Sequence, residues 1–206
     1  MDDSIDRLER RSRRVAYENP WLTVWHDEVT RPDGSDGIYG VVHFENLAVA
    51  ILVLDDQDRT VLVGQHRYTL DEVSWEIPEG GVPAGESALE GAQRELREET
   101  GLEASTWVEL GRLSLSNSVT DERAVLFLAS GLTHGEAAPE PSESLALRWL
   151  PFSDVLAMTL DGRIHDVLTV VAVERVALAR SIAAVSGVGV GGDAGVGGAS
   201  DPEASR

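Results

Sequence analysis

The sequence predicts a mixed α/β fold in which one mixed sheet carries a helix on each face and is preceded by a small antiparallel sheet. Three stretches predict it. Leu47 to Leu54 is almost unbroken apolar sequence closed by Asp55-Asp56, which suits a strand buried on both faces. Ala88 to Thr100 lies between a capping box, Ser87 with Glu90, and Gly101, the usual left-handed helix stop. The run from Asp166 to about Ser186 is too long for a strand, although its valines favour one locally.

Taken in order, Met1 to Arg14 is charged throughout and reads as a flexible, solvated, partly helical arm (residues 1–14). Trp21 to His26 and Ile38 to Glu45 are rich in β-formers and flank the turn chemistry of Arg31-Pro32-Asp33-Gly34, so residues 15–45 are expected to form an antiparallel unit. So few strands must pack on something larger. Thr60 to Tyr68 is a strand that turns polar at its end and delivers Gln65, His66 and Arg67. Pro78, Gly80 and Gly81 exclude regular structure from Ser74 to Gly81 and let the backbone approach a ligand. Trp75 reads as core.

On the helix, Leu89, Ala92 and Leu96 form the stripe expected to face a core, and Glu95, Glu98 and Glu99 fall on the neighbouring arc. Beyond it, Thr106 to Leu115 and Glu122 to Ala129 read as strands, and Leu132 to Ser144 as a long acidic loop. Leu145 to Leu150 is a strand, Ser153 is expected to cap a short helix through Met158, and Asp166 to cap the last helix. Residues 46–186 thus form the main domain. The Gly-rich segment of residues 187–206 offers too little apolar surface to order itself.

Composition narrows the function classes. The 206 residues, 42% hydrophobic, are enough for one domain with a sizeable core and an appendage. No apolar run is long enough to span a membrane, and no apolar segment follows Arg10-Arg11-Ser12-Arg13-Arg14 as an export signal requires, so a cytoplasmic protein is expected. A formal charge of −19 argues against nucleic-acid partners, whose phosphates call for Lys and Arg. It also repels a phosphorylated small molecule unless divalent ions or a few arginines reverse the sign locally. The chain has no cysteine and therefore no thiolate nucleophile or thiolate metal ligand.

The acids of the helix supply such a place. Glu98 and Glu99 stand in the last turn, where the macrodipole is already negative, and Glu95 lies at the i,i+3 and i,i+4 spacings from them. A hard divalent cation with oxygen ligands relieves this crowding, while a solvated face balanced by Arg94 and Arg97 is the plainer alternative. Gly80, Glu86, Arg94-Glu95-Leu96, Glu98-Glu99 and Gly101-Leu102 together meet the pattern G-x5-E-x7-R-E-U-x-E-E-x-G-U, where U is aliphatic. This stretch resembles the complete Nudix box. The resemblance implies a Nudix-type α/β/α sandwich that binds magnesium, or manganese in its place, and cleaves a nucleoside diphosphate joined to another group.

By the same resemblance Glu95 and Glu99 would ligate metal directly, Glu98 directly or through water, and the Glu79 carbonyl would add a ligand. Arg94 would orient the box carboxylates, Glu86 would add an outer-sphere contact, and the general base would come from the later loop, Glu143 first and Glu140 second. Tyr17-Glu18-Asn19-Pro20-Trp21, Arg31-Pro32-Asp33-Gly34 and Ser74-Trp75-Glu76-Ile77-Pro78 are similar to the ADP-ribose pyrophosphatase branch, whose members are homodimers with N-terminal sheets that exchange or pack across the two-fold and complete each other's site. Trp21 and Tyr39 resemble the aromatic pair that sandwiches the base there, or serve dimer packing. Arg67 is a phosphate clamp or a surface ion pair, and Glu76 reaches substrate or caps its loop. Asn117 stands where ADP-ribose-specific members carry proline, which leaves ADP-ribose first and GDP-mannose and other nucleoside diphosphate sugars open. A non-catalytic nucleotide-sugar sensor on the same fold is the alternative, and it would be expected to have lost a box acid.

Overall fold

A computed structural model describes residues 6–135 and 145–186. The Gly-rich segment, Glu140 and Glu143 lie outside the described residues. Three strands, β1 (Glu9–Glu18), β2 (Leu22–Thr30) and β3 (Asp36–Phe44), form the N-terminal antiparallel sheet in the order β1-β2-β3. Gly34, at φ 81°, closes the turn between β2 and β3, and its N–H donates to the Arg31 carbonyl at 2.8 Å. The expected arm is corrected here: from Glu9 it is strand. All ten residues of β1 are exposed, so its solvated composition hid a backbone pattern supplied by pairing with β2.

The main domain holds two further sheets. One has the order β10-β5-β6, built from β5 (Arg59–Arg67), β6 (Glu72–Glu76) and β10 (Ala146–Pro151). The other, β7-β4-β9-β8, is mixed: β4 (Leu47–Val53) runs parallel to β9 (Arg123–His134) and antiparallel to β7 (Glu79–Val82), and β8 (Leu102–Ser114) pairs antiparallel with β9. Regular structure on both sides of Pro78 corrects the expected irregular segment. The proline, which has no N–H to donate, occupies the gap between β6 and β7, and its carbonyl accepts from Ile51 N at 2.8 Å. The expected loop from Leu132 likewise begins later, because Leu132 and Thr133 pair with Ala104 and Glu103.

β4 alternates between two cores, as a strand covered on both faces must. Val49, Ile51 and Val53 pack with Val125, Phe127 and with Ala92 and Leu96 of α1 (Ala88–Thr100). Ala50 and Leu52 pack with Leu126, with Phe152 and Val155 of α2 (Phe152–Leu160), and with Ala172, Val173 and Val176 of α3 (Val167–Ser186). The layers are therefore helix, strands, helices.

The capping box of α1 is formed: Ser87 Oγ accepts from Glu90 N, and the Glu90 carboxylate accepts from Ser87 N at 2.9 Å. Gly101, at φ 70°, ends the helix. The core stripe differs from expectation at one place, since Leu89 in the first turn is exposed and Gly91 is buried instead. A Cβ on Gly91 would meet Val82 Cγ2 at 2.5 Å, so glycine lets the helix approach β7. Ser153 lies inside the first turn of α2 with Pro151 at the cap position, so it is no cap, and no side chain caps this helix. Asp166 does cap α3, accepting from Thr169 N at 2.7 Å.

Candidate active site

The two ends of the loop and helix from Gly80 to Thr100 border a groove of about 470 Å³. Glu79, Gly80, Gly81 and Glu99 line it from below, with Gln65 and Arg67 from the end of β5. Trp21, Phe44, Glu45 and Asn46 line it from the N-terminal sheet and the segment that follows, and Glu122 from the start of β9. Trp21 is 76% exposed, and its position is set by Asn19, whose Oδ1 accepts from Trp21 N and Leu22 N, both at 2.9 Å. Tyr39 is not among the lining residues; its hydroxyl donates to the Ser118 carbonyl.

Arg94 binds the floor together. Its Nη1 donates to Glu95 at 2.7 Å and to Glu98 at 3.0 Å, and its Nη2 to Glu86 at 3.0 Å and to the Gly81 carbonyl at 2.7 Å. These bonds, the one to Glu86 foremost, raise the pKa of the guanidinium. A single cation thus bridges three box acids. Glu99 is 7% exposed, and its Oε2 accepts from Glu79 N at 3.0 Å, which fastens the last turn of the helix to the loop before it. Gly80 is required by Glu95: a Cβ there would lie 2.1 Å from the Glu95 carboxyl carbon.

Arg67 is engaged by Glu76, whose carboxylate accepts from Nε at 2.9 Å and from Nη2, and by Glu79, which accepts from Nη2. Glu76 is only 3% exposed. Burial pushes its carboxyl up, but the hydrogen bonds from Arg67 and Ser74 and the charge of Arg67 bring it below the ordinary value. Glu79 goes the other way: burial first, then the charges of Asp166 and Glu76, raise it well above that value. Its Oε2 is buried with no hydrogen-bond partner. Among the described residues, Glu76, Glu79 and Asp166 are the acids with ligand atoms all within 4.8 Å of one another.

An all-oxygen donor set with an orphaned carboxylate oxygen on Glu79 and one guanidinium spread over three neighbouring acids fits a hard divalent cation. Asp166 and Glu122 are the additions that sequence reading missed. Asp166 was visible only as a helix cap, and Glu122, whose carboxyl burial raises, follows an undistinguished loop.

A strand sandwich whose glutamate-bearing loop and helix floor a groove defines a Nudix-type hydrolase. The family model described as the NUDIX domain matches residues 45–169, and the chain belongs to the Nudix hydrolase family. Residues 9–42 match the nucleoside diphosphate sugar hydrolase N-terminal domain. The chain is 36% identical over 171 residues to the ADP-ribose pyrophosphatase of Mycobacterium tuberculosis, covering 81% of each. It is 32% identical over 158 residues to the methanol dehydrogenase activator of Bacillus methanolicus, covering 76% of this chain and 85% of that one. A solved structure described as an ADP compounds hydrolase superposes with a TM-score of 0.79 over 91% of this chain and 100% of its own; at 21% identity it supports the fold.

Proposed function

We propose that the protein hydrolyses the pyrophosphate bond of ADP-ribose or a related nucleoside diphosphate sugar with magnesium, or manganese in its place, giving a nucleoside monophosphate and a sugar phosphate. One observation carries the proposal: Glu99, bonded to Glu79 N and on the same helix as the acids that Arg94 ties together, lines one groove with Trp21 from the turn between β1 and β2. Similarity to an ADP-ribose pyrophosphatase over 81% of the chain supports it, as does the match of residues 9–42 to the nucleoside diphosphate sugar hydrolase N-terminal domain.

Glu95, Glu98 and Glu99 with Glu79 would hold the cation, which when bound neutralises the pyrophosphate and lowers the pKa of a water. The remaining roles belong to side chains. Arg94 fixes the directions of Glu95 and Glu98. Trp21 stacks on the base, and Arg67, steadied by Glu76, faces the phosphates, while Tyr39, held on Ser118, supports the sheet. Glu143, with Glu140 second, takes the proton of the attacking water. Because the leaving phosphate is a good one, positioning and charge stabilisation supply most of the rate.

The working form is a cytoplasmic homodimer joined through the N-terminal sheets. Val15, Tyr17 and Ile38 are exposed there, and a second copy would cover them. Light scattering on the eluting protein checks this, and a monomer mass at working concentration refutes it. No described helix is long and apolar enough to cross a membrane.

The test of the activity is incubation with ADP-ribose, GDP-mannose and related compounds plus magnesium, with products identified by mass. Release of a nucleoside monophosphate is the expected result. Failure on the whole panel removes the proposal.

A further inference from the structure

The N-terminal sheet is joined to the main domain by a ladder of side chains that crosses all three of its strands. On β1, Arg13 donates to both Asp27 oxygens, at 2.7 and 2.6 Å, and its guanidinium carbon lies 3.7 Å from the centre of the Trp25 ring. On β2, Trp25 stacks on His43 with 4.3 Å between ring centres and 16° between planes. On β3, His43 Nδ1 lies 2.6 Å from Asp121 Oδ2, in the loop that connects β8 to β9.

Asp121 does more than pair with the imidazole. Its Oδ1 accepts from Phe44 N at 3.2 Å, and its own N–H donates to the Val42 carbonyl at 3.3 Å. Val42 N donates to Val119 O at 2.9 Å, so the loop occupies the end of the free edge of β3. This end of the edge is therefore satisfied by the main domain itself.

Both ends of the clamp adjoin the groove. Phe44, next to His43, and Glu122, next to Asp121, are lining residues, and Trp21 is carried into the groove by the sheet that the clamp holds. We propose that Asp121, backed by the stack of His43, Trp25 and Arg13, is a positioning residue that sets the distance between the Trp21 wall and the acid floor. It thereby determines affinity for the base-bearing half of a nucleoside diphosphate sugar. This rests on the functional reading above. None of the ladder residues is needed for the chemistry, so their loss weakens binding and leaves the bond-breaking step alone.

The test compares the full-length protein with Asp121→Ala, Asp121→Asn and Trp25→Ala, measuring AMP affinity by calorimetry, KM and kcat on the substrate found in the panel, and the melting temperature. The alanine variants are expected to weaken AMP binding and raise KM by about tenfold, one factor of ten in an equilibrium constant, with kcat unchanged. Asp121→Asn, whose amide oxygen still accepts from Phe44 N while its amide N–H donates to Nδ1 of the other His43 tautomer, is expected to keep wild-type affinity. AMP affinity unmoved in Asp121→Ala, or an asparagine variant no better than the alanine one, overturns the inference. A wild type that binds AMP with the expected response to Asp121→Ala yet cleaves nothing upholds the positioning role and defeats only the pyrophosphatase reading.

Discussion

A β-carbon on Gly80 would sit 2.1 Å from the Glu95 carboxyl carbon, which gives this glycine a reason unrelated to backbone freedom. Gly80→Ala must therefore turn Glu95 away from its place beside Arg94. A displacement of about 1 Å at such a group costs about 10²-fold in rate, and that loss in kcat is the expected outcome, read by steady-state assay. Little change would mean that the Glu95 carboxylate is not needed where it stands. Glu99→Gln keeps an oxygen able to accept from Glu79 N, so the fold should melt at nearly the same temperature while turnover falls by orders of magnitude. A large loss of stability instead would make Glu99 a structural residue. At this scale the box was legible because its acids are neighbours on one helix face. Asp166 and Glu76 join Glu79 from separate elements, and no spacing in the chain announces that meeting.

Among the elements, α1 was readable to the residue because its signals are local: the capping box at one end and Gly101 at the other. Ser87→Ala removes the acceptor for Glu90 N and should cost about 1 kcal/mol, a fall of about 2–4 °C in melting temperature for a chain of this size. No shift would mean that solvent replaces the cap without loss. β1 was misread because every one of its side chains is exposed, so no apolar alternation marks it; its pairing partner lies in β2. Its arginines still matter. The Asp27 carboxyl is held below its ordinary value, chiefly by the hydrogen bond from Arg13. A depressed folded-state pKa means stability that is present above the unfolded value and lost as pH falls through the folded one. Melting temperature should accordingly drop on acidification below the ordinary aspartate range, with a shallower drop in Asp27→Asn. Parallel curves would show that the ion pair contributes nothing.

At the scale of the molecule, a chain of formal charge −19 places several of its acids around one groove. A ligand that binds only the folded state raises stability by about 2.7 kcal/mol at a hundred times its dissociation constant. Magnesium should therefore raise the melting temperature of the wild type and do so less in Glu95→Gln. An equal response in both proteins would place the ion elsewhere. The layered architecture was legible in outline, since β4 and α3 each declare themselves by length and apolar content. The division of the strands into separate sheets was not, because it depends on pairings between distant segments such as Ala146 with Gly64.

The order β7-β4-β9-β8 also bears on how the chain reaches its shape. Strand β4 meets β7 after a short stretch of sequence, whereas its parallel partner, Val49 against Val125, waits for β5 through β8 to be made. Distant pairings are slow to close. On the ribosome the most apolar strand of the protein emerges with one flank bare, and the floor of the groove is laid down before the support beneath it is complete. Sticking to other nascent chains is the hazard of that interval, and a synonymous pause placed before Arg123 would lengthen it.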